Sequence, residues 1–171
     1  MEFYDVIEKR HSVRAFSDKK IEKEKLSKIL AAAMKAPSAG NLQAYKIYAV
    51  KSAETKEALV GACMYQEFIA QAPVVLVFCS DIKQSEQKYG QRGAELYAPQ
   101  DATIAAAYAQ LAVAAEGLSS VWVGGFDPLE VSRIMDIPSF EVPVAVLPVG
   151  YAAEEPYITE RRDAKEIIKE V

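Results

Sequence analysis

Between Asp101 and Glu116 the chain offers a helix with almost no polar face. Ala105, Ala106, Ala107, Ala109, Leu111, Ala112, Val113, Ala114 and Ala115 fall on nearly every side of it. Such a helix has to be covered all round, within a core or between subunits. Its alanines let neighbouring helices approach closely. Asp101 is placed to cap its start and Gly117 to end it. The rest of the fold must be built around this rod.

The flanking segments show which elements can do so. Residues 3 to 9 set Phe3, Val6 and Ile7 on one helical face. Glu22 to Lys35 predicts a second helix with Leu26, Ile29, Leu30 and Ala33 as its stripe, stopped by Pro37. Tyr45 to Val50 alternates as a strand does, and Glu54 to Cys63 reads as a helix capped by Ser52. Pro73 to Cys79 is almost wholly apolar and rich in valine, the pattern of a strand covered on both faces. Ser119 to Val123 and Val142 to Tyr151 are the remaining strands. Asp127 and Pro128 supply an N-cap and a first-turn proline for a short helix to Met135. Asp163 to Val171 predicts a closing helix, with Asp163 and Glu166 spaced as a capping-box variant. The polar run of residues 81–100, DIKQSEQKYGQRGAELYAPQ, has little periodicity and predicts a lid or long loop. The blander reading is an exposed connection with some helix in it. No Gly-x-Gly-x-x-Gly follows the first strand, which argues against a dinucleotide-binding domain. The pattern is α+β, a central sheet of four or five strands flanked by helices.

Length and charge narrow the function. A chain of 171 residues suffices for one domain with a real core. A net charge of -4 gives no electrostatic footprint for nucleic acid. No apolar run reaches membrane-spanning length, and MEFYDVIEKR lacks the apolar core of a leader, so the expected location is the cytoplasm. Cys63 and Cys79 match no metal or redox spacing, and His11 is the one histidine, so no metal site is expected.

Four clusters carry chemistry. In an extended Arg10-His11-Ser12-Val13-Arg14, alternate residues put two guanidiniums and a hydroxyl on one side, a set suited to phosphate. A solvated basic turn would look the same. Pro37, Ser38, Ala39, Gly40, Asn41 and Gln43 combine small residues with two amides, which can meet both edges of a heterocycle or simply make a polar turn. Gly124 and Gly125 end an apolar strand and allow close backbone approach, or mark a tight turn. Arg161 and Arg162 add charge beside the last helix, or decorate a surface tail.

In their order and spacing these segments resemble the FMN-dependent nitroreductase family. RHSVRAF matches that family's Arg-(Arg/His)-Ser-x-(Arg/Lys)-x-Phe start. PSAGNLQAY matches its Pro-Ser-x-x-Asn-x-Gln-Pro-Trp segment, with Ala44 and Tyr45 in place of Pro-Trp. GLSSVWVGGF follows the alanine-rich helix as in the family, and PVAVLPVGY matches its strand ending in Gly-Tyr. The resemblance implies one FMN-binding domain over residues 1–171, a mostly antiparallel sheet and an intertwined homodimer with FMN between the subunits. It implies that Arg10, His11, Ser12 and Arg14, aided by Arg161 or Arg162, hold the phosphate, ribityl and pyrimidine side. Pro37, Ser38, Ala39, Asn41 and Gln43 would reach in from the partner. Gly124 and Gly125 would set backbone amides near flavin N5 and O4, and no essential acid–base side chain is expected. The implied reaction passes hydride from NADH or NADPH through FMN to an electron-poor small molecule, a nitroaromatic, a quinone or similar, by a ping-pong mechanism. Tyr89, Arg92 and Tyr97 are the expected substrate contacts. Dehalogenase-like or flavin-fragmenting chemistry, or a redox-inactive flavin-binding module, are the alternatives on the same scaffold.

Overall fold

β2 (Val74–Asp81) lies at the centre because its apolar run from Val74 to Cys79 favours burial on both faces, and all eight of its residues are buried. The computed structural model describes residues 2–171. β1 (Tyr45–Val50) pairs antiparallel with one side of β2 and β4 (Glu141–Gly150) with the other. The two-residue β3 (Ser119–Ser120) lies outside β4, giving the order β1-β2-β4-β3. The period of two sends alternate residues to opposite faces. Leu76 and Phe78 of β2 and Leu147 and Val149 of β4 meet α2 (Lys23–Ala33) and α6 (Ala98–Ala115). Val75, Val77 and Cys79 meet α3 (Ala53–Ala62), α4 (Phe68–Gln71) and α7 (Pro128–Met135) on the other face. α1 (Phe3–Lys9) rests on α6. The expected α+β fold with an antiparallel sheet is what forms. Ser52 and Asp127 cap α3 and α7 as expected, accepting from Thr55 N–H and from the Leu129 and Glu130 N–H groups.

Four expectations need correction. Residues 81–100 are not a loop. Asp81 accepts from Gln84 N–H at 3.0 Å and starts α5 (Ile82–Arg92), and a π-helical turn (Gly93–Tyr97) leads straight into α6. The segment hides its helicity because its most buried positions are Ser85 and Gly93, too small to make an apolar stripe. Asp101 is therefore not an N-cap. The chain is already helical when it arrives there, so its carboxylate is available to serve another segment.

The strand expected at Ser119 to Val123 stops after Ser120. In its register Val121 faces Pro148, which has no N–H to give, and pairing resumes only as a single bridge between Val123 and Val146. The closing helix shrinks to α8 (Ala164–Ile167). Asp163 accepts from Lys165 N–H at 2.9 Å, but Glu166 pairs with Arg162 at 3.0 Å instead of closing the box. Residues 157–171 are exposed, so no packing supports a longer helix. Within the single chain α6 keeps an uncovered face at Ala107, Tyr108 and Ala115.

Candidate functional site

After α1 the chain leaves the helix at Arg10, with φ -73° and ψ 105°. It then runs extended beside β3. Ser12 is bridged to Ser120, and Val13 N–H donates to the Ser120 carbonyl at 3.2 Å. Val13 is buried, so the extended period turns Ser12 and Arg14 the other way. Arg10 and His11 line a cavity of about 60 Å³ with Lys9, Gln110, Val113 and Ser119, while Ser12 and Arg14 are not in its walls. Among the described residues neither Arg10 nor Arg14 forms an ion pair. Arg14 N–H donates to Glu154 Oε1 at 2.5 Å, tying the strip to the start of the C-terminal tail.

Residues 37–43 make a tight turn in which Gly40, Asn41 and Gln43 take positive φ of 55°, 57° and 51°. Ser38 Oγ accepts from Gln43 N–H at 2.9 Å. The anchor is Asp101, buried in the first turn of α6. Its carboxylate accepts from Ala39 N–H at 2.9 Å and Ala44 N–H at 3.4 Å. Gln84 on α5 donates to the Leu42 carbonyl at 2.6 Å. A Cβ on Gly40 would lie 2.2 Å from the Tyr89 hydroxyl and 2.8 Å from Lys88 Nζ, so these two side-chain ends close over it and would have to move aside. Tyr89 and Tyr97 meet edge to face at 5.2 Å, and Arg92 Nε donates to the Tyr97 hydroxyl at 3.0 Å. The structure thus brings Tyr89 onto the turn that carries Pro37, Ser38, Ala39, Asn41 and Gln43, with Tyr97 packed on Tyr89 and Arg92 on Tyr97.

Gly124 and Gly125 follow the Val123 bridge and lie over the turn that ends α3. Gln66 Nε2 donates to the Gly125 carbonyl at 3.2 Å and to the Cys63 carbonyl at 2.7 Å. Asp127 N–H donates to the Ala62 carbonyl at 2.9 Å. A Cβ on Gly125 would sit 3.2 Å from Met64 Sδ. Met64 and Tyr65 hold positive φ of 56° and 58° with exposed side chains. Nothing in composition marks these two, nor Gln66. The one available signal was a helix ending at Cys63 with no glycine to turn it.

The remaining candidates are not joined to these groups. Arg161 and Arg162 lie in the exposed tail. Arg162 is engaged by Glu166, and among the described residues neither is hydrogen-bonded to Arg10, His11, Ser12 or Arg14. Cys63 and Cys79 face the α3 side of the sheet, where burial pushes their thiols up to about 11 and about 12, Glu141 adding to the latter. Tyr48 is pushed up by burial first and then by its 2.5 Å bond to Glu141. These groups are held neutral in the core. Among the described residues no His, Cys, Asp and Glu group could hold a metal, and no helix is long and apolar enough to cross a membrane.

The two main clusters sit at opposite ends of one helix. Asp101 and the turn lie at the start of α6, and the Arg10 cavity touches Val113 twelve residues on, about 18 Å along the axis.

Comparison with known proteins identifies the family of this fold. The family model described as "Nitroreductase family" matches residues 7–66 and 58–151. A Thermus thermophilus protein named NADH dehydrogenase is 33% identical over an alignment covering 94% of this chain and 91% of its own. A Bacillus subtilis protein named FMN reductase (NAD(P)H) is 29% identical, with 84% of this chain and 63% of its own covered. The solved structure of B. megaterium NfrA2 superimposes with a TM-score of 0.90 at 27% identity, covering 99% of this chain and 74% of that one. With the match running from α1 through β4, the chain belongs to the nitroreductase family.

Proposed function

We propose that this protein is an NAD(P)H-dependent oxidoreductase that holds FMN between two copies of itself. One observation carries the two-copy reading: the candidate residues cannot meet within a single chain. Arg10 and His11 lie at one end of α6 and the residue 37–43 turn at the other. A second copy with its α6 reversed brings each chain's turn beside the other's arginine strip. A face for that contact exists, because Tyr108 is 40% exposed and shares an apolar groove with Phe3, Leu111 and Ala115.

The residues fit the cofactor. Arg10 and Arg14 form no ion pair among the described residues and flank the Ser12 hydroxyl in sequence, donors of the kind that hold a phosphate, although in the single chain Arg10 lines the cavity with His11 and does not share its wall with Ser12 and Arg14. The turn offers small residues and two amides. Gly124 leaves its backbone open, since the nearest atom to an added Cβ would be Trp122 Nε1 at 3.6 Å.

When bound, FMN supplies hydride transfer, accepting two electrons and a proton from NADH or NADPH and delivering them to an acceptor. For a nitroarene, one NAD(P)H and one solvent proton convert the nitro group to nitroso and water. The space beside Gly40 would take donor and acceptor in turn, a ping-pong order. Arg10 and Arg14, with Arg161 of the tail, would neutralise the phosphate, and the Ser12 hydroxyl would donate a hydrogen bond to it. Ser38, Asn41 and Gln43 orient the ring edge. The Gly124 and Gly125 N–H groups stabilise negative charge where it develops. Tyr89, Arg92 and Tyr97 wall the space beside Gly40 in which an electron-poor small molecule lies.

The purified protein should be yellow, dimeric, and bleached by NADH or NADPH without oxygen. Replacing Arg10 and Arg14 together by alanine should strip the flavin and leave the circular dichroism spectrum unchanged. Parental flavin occupancy in that variant would overturn the phosphate assignment, and a monomer with full flavin would overturn the two-copy site.

A further inference from the structure

α5 and the π-helical turn present more than aromatic rings to the residue 37–43 turn. Lys88 Nζ lies 5.3 Å from the centroid of the Tyr89 ring and against Gly40, and the Arg92 guanidinium lies 5.5 Å from that of Tyr97. Gly90 makes this possible with φ 60° and ψ -151°, a conformation open only to glycine. It breaks α5 so that Tyr97 returns to Tyr89. Among the described residues neither Lys88 nor Arg92 has a carboxylate within ion-pairing distance.

Three of the nearby acids are already engaged. Asp101 accepts from two backbone N–H groups, Asp81 from Gln84 N–H with Lys46 at 3.8 Å, and Glu95 from Gln91 Nε2 at 2.7 Å. Glu86 is exposed on α5. In a protein of net charge -4, the wall of the proposed acceptor space therefore offers two cations set beside two flat rings.

We infer that this wall, Lys88 and Arg92 on the Tyr89–Tyr97 pair, selects planar acceptors that carry an anionic group. The inference rests on the FMN reading above. The rings take the flat part of the acceptor by stacking. The cations take its carboxylate or phosphate, and because both side chains are solvent-exposed the advantage is modest and screened by salt.

The test compares 4-nitrobenzoate with 4-nitrobenzamide, which share ring and nitro group and differ in charge, on the FMN-loaded protein with NADH as donor. The parent should favour the carboxylate by about three- to tenfold in kcat/KM. That ratio should fall toward unity in the Lys88→Gln, Arg92→Gln double variant and in high salt. Benzoate against benzamide binding to the oxidised protein, read from flavin absorbance, should show the same ratio without turnover. Equal kcat/KM values in the parent overturn the inference, as does a ratio unmoved by the double substitution. A loss confined to reduction by NADPH, with NADH unaffected, also overturns it, because the cations would then serve the extra phosphate of the donor. A parent that binds no FMN, or is not bleached by either nicotinamide, removes the FMN reading itself.

Discussion

Asp101→Ala tests whether one buried acid on α6 holds the turn that carries five candidate cofactor contacts. The substitution takes the acceptor from the Ala39 and Ala44 N–H groups at 2.9 and 3.4 Å. Ala44 is 0% exposed and Asp101 2%, so water does not replace it. An unsatisfied buried N–H costs about 1–3 kcal/mol, with the longer bond at the low end. Removing a buried carboxylate also removes its desolvation penalty, which offsets part of the loss. The net destabilisation should be about 2–4 kcal/mol. For a domain of this size that lowers Tm by roughly 5–15 °C. Asp101→Asn keeps a carbonyl for Ala39 but turns an NH₂ toward Ala44, and should cost about half as much. Thermal unfolding followed by circular dichroism gives the Tm. Amide exchange at Ala39 and Ala44 reports the anchor directly and should accelerate in Asp101→Ala. A variant within about 0.5 kcal/mol of the parent, or parental exchange at both amides, refutes the reasoning.

Gly40→Ala places a β-carbon on a residue at φ 55°. The Tyr89 hydroxyl can swing aside, so backbone strain dominates at about 1–2 kcal/mol, and FMN affinity should fall with stability; no change in either contradicts the role given to the turn. Lys56 is buried, and burial pushes its ammonium pKa down, yet Nζ donates to the Ala72 and Ala70 carbonyls at 2.7 and 3.2 Å. Lys56→Met should cost about 2–3 kcal/mol in urea unfolding, and a parental midpoint would show that water takes over those carbonyls. Alkali should destabilise the protein through its thiols. Cys63 and Cys79 are pushed up by burial to about 11 and about 12, whereas unfolded thiols ionise near about 8.5. The stabilisation is complete below that unfolded value and is lost as pH climbs toward the folded values, so ΔG should decline above about pH 9, less steeply in Cys63→Ala. A flat profile in the parent speaks against buried neutral thiols.

Most of the fold was legible because its signals are local. Pro73 to Cys79 reads as a covered strand, and Ser52 and Asp127 announce their helices through caps that the structure forms. What was hidden depends on distant partners. The brevity of β3 is decided by Pro148, which comes 28 residues after Ser120 and faces Val121 across the ladder. The helicity of residues 82–97 is decided by close packing at Ser85 and Gly93, where an added Cβ would lie 2.5 Å from the Ser85 carbonyl oxygen, so small polar residues stand where an apolar stripe would be sought. The site was legible as composition and not as arrangement. Arg10, Ser12, Ser38 and Gly124 stand out as residue types, but only the folded chain sets the arginine strip and the turn at opposite ends of α6. Asp101 reads in the sequence as a cap on its own helix, because a carboxylate that serves another segment looks no different in one dimension.

Met64 and Tyr65 set sturdiness against usefulness at one corner of the molecule. Side chains in consecutive left-handed positions hold on the order of 1–3 kcal/mol of strain each, which glycine would release. Anyone hardening this protein for heat would be drawn there first. The reward would come with the loss of a thioether beside Gly125 and of a neighbouring phenol, both exposed to solvent, so a tougher version would keep its scaffold and present a barer surface at that corner.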